Sequence, residues 1–297
     1  MYNSFAIWHQ RKNEDEEISG VELHFNLWQF SSQENDNTDC LDIGIKITKL
    51  SNFDSINVFL PFSLNKNKVR DLGERITKHE HLLTAIFNER HERGATIDKK
   101  LVKVTLYTED NDTEDIFYIY FVNHGDLEVK TIDQGTTVKI NTHYIAKHIQ
   151  NYEKVYLRFR IDFKPKDIQN KILYQHSPKD SWLQSSTDTK QFIDFRLNEK
   201  RSLPSDIIEQ CSNNFINIEK IHFFLMRELK DELNMSNPAE PKYRFLENHI
   251  WSDYFEEKQN LKDKLDHMLA YHWKITPNQE KKETNFKSLT NFFFNYC

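Results

Sequence analysis

Arginine and tyrosine side chains share one face of the most regularly patterned segment of the sequence, residues 154–164. Polar and apolar residues alternate there, and a second alternating segment follows near 192–201. Guanidinium groups hold phosphates and carboxylates through paired hydrogen bonds and stack on aromatic rings. If the two strands pair, the sequence predicts a ligand-binding sheet face that contains Tyr156, Arg158, Arg160, Asp194, Arg196 and Arg201. The alternative is simple cross-strand ion pairing, for instance between Arg160 and Asp194, which contributes little energy.

A metal-dependent nuclease of the PD-(D/E)xK type is the second chemistry that the residue spacing allows. Two carboxylates would hold Mg²⁺, and a lysine would lie near the attacked phosphate. The residues that fit these roles are Asp110, Asp126, Glu128 and Lys130, with Asp112 or Asp115 as other upstream acids. The same Glu-x-Lys spacing recurs at 256–258 and 280–282, so the pattern has low specificity. The alternative is an acidic hairpin beside a strand whose polar residues point outward.

His79 and His81 form a close pair of potential transition-metal ligands. On a helix, side chains two residues apart point about 200° away from each other. The two histidines could therefore share a metal ion only in an extended loop. No His-Glu-x-x-His motif occurs, and Cys40, Cys211 and Cys297 are too far apart for a Cys-x-x-Cys site. The sequence therefore predicts no metal or cofactor, except Mg²⁺ under the nuclease hypothesis.

Glycine spacing excludes three common site types. The closest pair among the six glycines, Gly125 and Gly135, is ten positions apart. A dinucleotide fingerprint, a P-loop and a nucleophile elbow all need glycines at most five positions apart. None of these motifs is present.

A possible interface lies in segment 244–251, where aromatic residues are mixed with Arg, Glu and His. These residue types often anchor protein interfaces. The candidate interface residues are Arg244, Phe245, His249 and Trp251. The alternative is that the aromatic side chains of this segment pack the last helix against the body of the protein.

Period-2 alternation dominates the sequence and predicts an α+β, mainly β fold. Strands are predicted around 21–27, 41–47, 56–60, 102–106, 116–122, 154–164, 192–197 and within 216–226. Segments 102–106 and 116–122 should pair as a hairpin. Helical spacing predicts a helical insertion at about 66–91, a short helix at 142–150 and a helix at about 256–273.

These elements suggest three regions. Residues 1–165 are predicted to form a β-sandwich-like body, 166–191 a polar linker or long loop, and 192–297 a mixed α/β part that ends in helices. Polar composition, two prolines and a Ser-Ser-Thr run mark the middle region.

Composition and charge narrow the function classes. The chain has 297 residues, 38% of them hydrophobic, and a formal net charge of −6. This balance disfavours duplex nucleic acid as a partner, and no apolar run is long enough to span a membrane. We expect a cytoplasmic, non-enzymatic module that binds a ligand or protein through a sheet face and loops. Its partner would be another protein or a second copy, with a phosphate-bearing small molecule as a further candidate. An accessory or sensor role in a bacterial anti-phage conflict system is a class-level hypothesis. The nuclease remains the alternative.

Overall fold

Strands form most of the computed structural model, which describes residues 2–11, 20–30, 39–48, 53–87, 90–107, 113–132, 134–149, 154–176, 190–214, 216–231, 233–237, 241–255, 261–276 and 289–296. The strands are β1 (Ser4–Arg11), β2 (Gly20–Trp28), β3 (Asp39–Thr48), β4 (Phe53–Leu60), β5 (Val69–Asp71), β6 (His91–Asp98), β7 (Leu101–Tyr107), β8 (Thr113–Tyr120), β9 (Leu127–Ile132), β10 (Gly135–Asn141), β11 (Lys154–Phe163), β12 (Leu173–His176), β13 (Lys190–Leu197), β14 (Asn217–Glu228), β15 (Leu233–Asn237), β16 (Lys242–Phe245), β17 (Met268–Ile275) and β18 (Leu289–Tyr296). The helices are α1 (Gly73–Lys78), α2 (Glu80–Phe87), α3 (His143–His148), α4 (Pro165–Ile168), α5 (Ser205–Asn213), α6 (Asn248–Tyr254) and α7 (Lys262–Leu265).

The strands form two sheets. The eight-stranded sheet has the order β15-β18-β13-β1-β4-β10-β9, with β12 paired to β13. The ten-stranded sheet has the order β16-β17-β14-β2-β3-β11-β8-β7-β6, with β5 paired to β11. The chain passes repeatedly between the sheets, for example from β1 to β2 and from β3 to β4. Two parallel pairs, β1 with β13 and β2 with β14, join strands that are far apart in sequence.

An apolar core lies between the two sheets. Alternate residues of a strand point to opposite faces, so the central strands of each sheet place one apolar row in this core. Phe5 and Phe195 of the eight-stranded sheet pack against Phe25 and Phe223 of the ten-stranded sheet, with ring centroids 4.8–6.3 Å apart between the sheets. The sheets therefore form a sandwich, as the sequence predicts for the body.

Helices cover the outer face of each sheet. Helix α5 places Ile207 and Cys211 against Trp8 and Phe59, which point away from the central core. On the other side, α1, α2, α6 and α7 pack over the ten-stranded sheet in a second large apolar cluster that includes Trp28. As a result, the central strands of the ten-stranded sheet are buried on both faces, and β11 has no exposed residue.

The α+β, mainly β fold class is confirmed, and each predicted strand has a counterpart in the structure. The hairpin of β7 and β8 is also present. The helical insertion at 66–91 consists of α1 and α2, preceded by the short strand β5, and the helix at 142–150 is α3. None of the described helices has the length and apolarity that a membrane crossing requires.

The predicted C-terminal helix at 256–273 is wrong in its extent. Helix α7 covers only Lys262–Leu265, and residues 268–275 form strand β17, so the chain ends in strands rather than helices. The apolar residues at 268 and 269 fit a helical stripe, but the segment pairs along eight residues with β14. Tertiary pairing therefore overrides the local pattern. The two predicted parts, 1–165 and 192–297, each contribute strands to both sheets, and the middle region contains α4 and β12, with 177–189 outside the described residues.

Candidate functional site

Polar side chains line the outer face of the ten-stranded sheet, beneath the helices. Residues alternate between the two faces of β2, β3, β11 and β14. The residues of one face point into the apolar core, and those of the other face include these polar side chains. We call this row of outward residues the covered face. The residues used below are Glu22, His24, Asp42, Gly44, Tyr156, Arg158, Arg160 and His222. Burial of so many polar groups requires hydrogen-bond or ionic partners.

Asp42 is the central anion of the covered face and is completely buried. Its carboxylate accepts two hydrogen bonds from Arg160, at 2.7 Å from Nε and 3.0 Å from Nη2. The Tyr254 hydroxyl of α6 donates at 2.7 Å and the Trp28 indole Nε1 donates at 2.9 Å. Arg158 is also fully buried; its Nη2 lies 3.7 Å from the same carboxylate. Four donor atoms therefore hold one buried anion.

The ionisation of this network follows from its geometry. Burial acts to raise the pKa of Asp42, but Arg160, Arg158 and the Tyr254 hydroxyl more than offset it, so the pKa lies below its usual value. Burial also raises the pKa of Tyr254 and of Tyr156. Asp42 is thus a carboxylate between two guanidinium ions, and both phenols stay neutral.

Tyr156 extends the network across the sheet. Its hydroxyl accepts a hydrogen bond from Arg158 Nη1 at 3.0 Å and lies 3.4 Å from His24 Nδ1. To reach His24, the ring passes directly over Gly44 of the intervening strand β3, where a Cβ atom would lie 2.8 Å from the ring carbon Cζ. Glycine at this position is therefore needed for close approach rather than for a special backbone angle.

Beyond Tyr156 lies a group that we call the imidazole cluster: Glu22, His24, His222 and His272. Parallel pairing of β2 with β14 places His24 directly beside His222. Glu22 Oε1 lies 3.2 Å from His24 Nε2 and 3.4 Å from His222 Nε2. His222 Nδ1 lies 2.9 Å from His272 Nε2 on β17. The carboxylate and the two neighbouring imidazoles form one of two groups of described residues whose spacing could hold a metal ion.

Burial keeps two of these imidazoles neutral. It lowers the pKa of His24 to about 4, and burial together with nearby His222 lowers the pKa of His272 to about 4. Burial alone would raise the pKa of Glu22, but the contacts with His222 and His24 hold it well below the usual range. At neutral pH the cluster therefore combines a carboxylate with uncharged ring nitrogens at His24 and His272.

The second group of potential metal ligands, which we call the rim cluster, is His79, His81 and Asp253. Asp253 Oδ2 lies 3.4 Å from His79 Nδ1 and 2.9 Å from His81 Nε2. His79 lies in the break between α1 and α2 with extended backbone angles. The two histidines therefore lie at a helix-helix junction, and His79 has the extended backbone that would let them converge on one ion. His81 also borders a groove of about 430 Å³ between α2 and α6.

Strand β16 forms one edge of the ten-stranded sheet, and among the described strands it pairs only with β17. Tyr243 and Phe245 project from one of its faces and are 72% and 60% exposed. Arg244 points to the other face, where it donates a hydrogen bond to the Ala85 carbonyl at 3.1 Å. Of the other predicted interface residues, His249 is exposed on α6, whereas Trp251 is buried against Trp28.

The predicted arginine-lined sheet face is wrong as a single surface. Strands β11 and β13 belong to different sheets, so Tyr156, Arg158 and Arg160 do not meet Asp194, Arg196 and Arg201. Arg160 pairs with Asp42 rather than with Asp194. Asp194 instead binds Arg196 of its own strand at 2.6 Å, and the largely exposed Arg201 binds Glu199 at 3.0 Å. The arginines of β11 are also buried beneath α6 rather than open to a ligand.

Among the predicted nuclease residues, Asp126 and Glu128 have other partners in the structure. Asp126 binds Lys100 at 3.1 Å, and Glu128 accepts a hydrogen bond from Asn141. Glu128 and Lys130 both lie on β9, an edge strand of the eight-stranded sheet. Asp115 lies on β8 of the ten-stranded sheet, bound to Lys154 and Lys46. Asp110 and Asp112 lie outside the described residues.

The imidazole cluster was missed by the sequence analysis. Glu22 and His24 have the i, i+2 spacing that puts two side chains on one strand face, and this signal is present in the sequence. Their partner His222 lies about 200 positions away along the chain. Only the parallel pairing of β2 and β14 brings it near. No local pattern encodes that pairing.

Comparison with known proteins gives no assignment. No protein-family model matches the chain, and no curated protein matches it.

Proposed function

We propose that the protein is a non-enzymatic binding module that holds an extended segment of a partner protein along the edge strand β16. The observation that carries this proposal is the exposure of Tyr243 and Phe245, which are 72% and 60% accessible on one face of that strand. Large aromatic side chains beside an unpaired strand edge promote pairing with another chain, so proteins that do not use such an edge usually protect it.

The two faces of β16 define the chemistry of the partner segment. Tyr243 and Phe245 offer an aromatic face, and the exposed Lys242 gives the other face a cation beside Arg244, which binds the Ala85 carbonyl. A strand added beside β16 would place its own side chains opposite these residues, since cross-strand neighbours lie about 5 Å apart. We therefore propose a segment in which apolar residues alternate with Asp or Glu. Aromatic and arginine side chains are also the residues that carry most binding energy at interfaces.

Such a capture surface suits an accessory or sensor protein, the role proposed from the sequence for a bacterial anti-phage conflict system. The metal-dependent nuclease stays an untested alternative, and no contact among the described residues favours it.

The test is selection from a displayed library of extended peptides, followed by measurement of the dissociation constant of the best binder. We expect selected sequences to alternate apolar and acidic residues. Truncating two aromatic anchors should weaken binding roughly 30- to 700-fold, since each anchor contributes about 1–2 kcal/mol. The variant is Tyr243→Ser with Phe245→Ser. The matched control is Ile97→Ser, which removes a 48% exposed apolar residue from β6 at the opposite edge of the same sheet.

Equal binding to the double variant and to the control would contradict the proposal, as would a selection without the alternating pattern. A native mass spectrum tests whether a second copy of the chain, rather than another protein, occupies this edge. A multiple of the 35.8 kDa monomer mass that disappears in the double variant would show that a second copy of the chain covers β16 instead.

A further inference from the structure

The spacing within the imidazole cluster matches the coordination sphere of a transition metal. Glu22 Oε1 lies 3.2 Å from His24 Nε2 and 3.4 Å from His222 Nε2. One ligand atom from each of the three residues lies within 4.8 Å of the other two. Zinc binds nitrogen and carboxylate oxygen at about 2.0–2.2 Å, so adjacent ligands of a tetrahedral ion are about 3.3 Å apart. A single ion can therefore contact these atoms with little change in their spacing.

Outer contacts orient both imidazoles for such an ion. His222 Nδ1 lies 2.9 Å from His272 Nε2, and His24 Nδ1 lies 3.4 Å from the Tyr156 hydroxyl. If each Nδ1 carries the proton, each Nε2 presents a lone pair toward Glu22. Metal-binding histidines almost always have a hydrogen-bond acceptor on the second ring nitrogen, and that contact fixes the ring. The Tyr156 hydroxyl, which is the acceptor for His24, also accepts a hydrogen bond from Arg158 Nη1.

Two further observations separate this cluster from an ordinary buried ion pair. His222 Nε2 is buried and forms no hydrogen bond with any described residue, although Glu22 Oε1 is close. Lys220 Nζ lies 3.3 Å from the other carboxylate oxygen, Oε2, so Oε1 is the oxygen that faces the two imidazole nitrogens. The Glu22 and His222 side chains are 24% and 16% exposed, so an ion can enter from solvent without disruption of the sheet.

We propose that Glu22, His24 and His222 bind one divalent first-row transition metal ion of the zinc class. Neutral imidazole and carboxylate are suitable ligands for such ions. Three protein ligands leave a coordination position for water or a small molecule. None of the three ligands lies on β16, although His272, the outer contact, pairs with Lys242 of that strand.

The experiment uses the full chain after treatment with EDTA and removal of the chelator. Zn²⁺ is titrated by calorimetry, and Co²⁺ by its visible absorption, which reports tetrahedral coordination by nitrogen and oxygen. We expect one equivalent to bind. Loss of an outer histidine contact typically weakens metal affinity 10- to 100-fold. His272→Ala should show a loss of this size, and Glu22→Gln and His222→Gln should lose at least as much.

The rim cluster provides the matched control, because it has the same ligand types at similar distances on more exposed side chains. The double variant His79→Gln with His81→Gln should bind Zn²⁺ as the wild type does. Absence of binding to the wild type would overturn the proposal. Loss of binding in the rim variant, with retention in Glu22→Gln, would place the ion at the rim and also overturn it.

A measurement on the wild-type chain covers the case in which a ligand variant does not fold. Diethyl pyrocarbonate modifies unprotected histidine nitrogens, and the modified residues are identified by mass spectrometry. Zn²⁺ should reduce modification of His222 and leave that of His79 and His81 unchanged. The opposite pattern would overturn the proposal.

Discussion

Replacement of Asp42 by Asn should be among the most destabilising single changes in the protein. Asn has nearly the same shape, but it removes the carboxylate that contacts both buried guanidinium groups, Arg158 and Arg160, and it turns one acceptor oxygen into a donor nitrogen. Removing one partner of a buried ion pair costs about 3–5 kcal/mol, because the remaining charge stays desolvated. Typical domains are stable by only about 5–15 kcal/mol, so this loss is a fifth or more of the total.

Urea denaturation followed by tryptophan fluorescence and far-ultraviolet circular dichroism measures the effect. The matched control is Asp115→Asn. Asp115 also binds two cations, Lys154 and Lys46, but near the surface, where such pairs contribute about 0–1 kcal/mol. Arg160→Met in the Asp42→Asn background should recover part of the lost stability, since it removes one of the unpaired charges. A cost for Asp42→Asn below about 1 kcal/mol, or equal to that of the control, would refute the argument from desolvation.

Three smaller changes test other features of the fold. Gly44→Ala should displace the Tyr156 ring, and the overpacking and lost buried hydrogen bonds should lower the free energy of unfolding in denaturant by about 2–4 kcal/mol. A smaller loss of stability for the same change in a Tyr156→Leu background would confirm the cause. Asn198 has a left-handed backbone (φ 55°), and its side chain accepts a hydrogen bond from the Ile7 amide at 3.0 Å. Both Asn198→Ala and Asn198→Gly lose that hydrogen bond, but only Ala is strained by the backbone angle, so thermal unfolding should show a loss of stability about 1 kcal/mol larger for Ala than for Gly. Burial raises the pKa of Asp71 to about 6, so between about pH 4 and pH 6 the folded state binds more protons than the unfolded state. The free energy of unfolding should therefore fall as pH rises through that window. Asp71→Asn should remove this part of the pH dependence.

Sequence alternation predicted the strands well because most of the predicted strands place one face in the apolar core between the sheets. The same alternation was less informative about the other face. In β11, Tyr156, Arg158 and Arg160 looked like an exposed surface, whereas helix α6 covers them and Asp42 neutralises part of their charge. A local pattern shows which residues share a face, but it does not show what packs against a polar face.

Long-range pairing accounts for most of what the sequence analysis missed. The strand at 268–275 matched a helical stripe at Met268, Leu269 and His272, and only its pairing with β14 identifies it as a strand. The imidazole cluster depends on the pairing of β14 with β2, and the separation of Arg160 from Asp194 depends on the assignment of β11 and β13 to different sheets. Each of these outcomes follows from contacts between segments that are far apart in the chain.

The parallel pairing of β2 with β14 also has a consequence during protein synthesis. Strand β2 ends at Trp28, whereas β14 begins at Asn217, so the ribosome must add nearly 190 residues before the neighbour of β2 exists. At about 5–20 residues per second, this interval is roughly 10–40 s. During that time the apolar strands β1 and β2 each have an unsatisfied edge on the nascent chain. The newly made protein should therefore depend on chaperones that shield strand edges until its C-terminal half emerges.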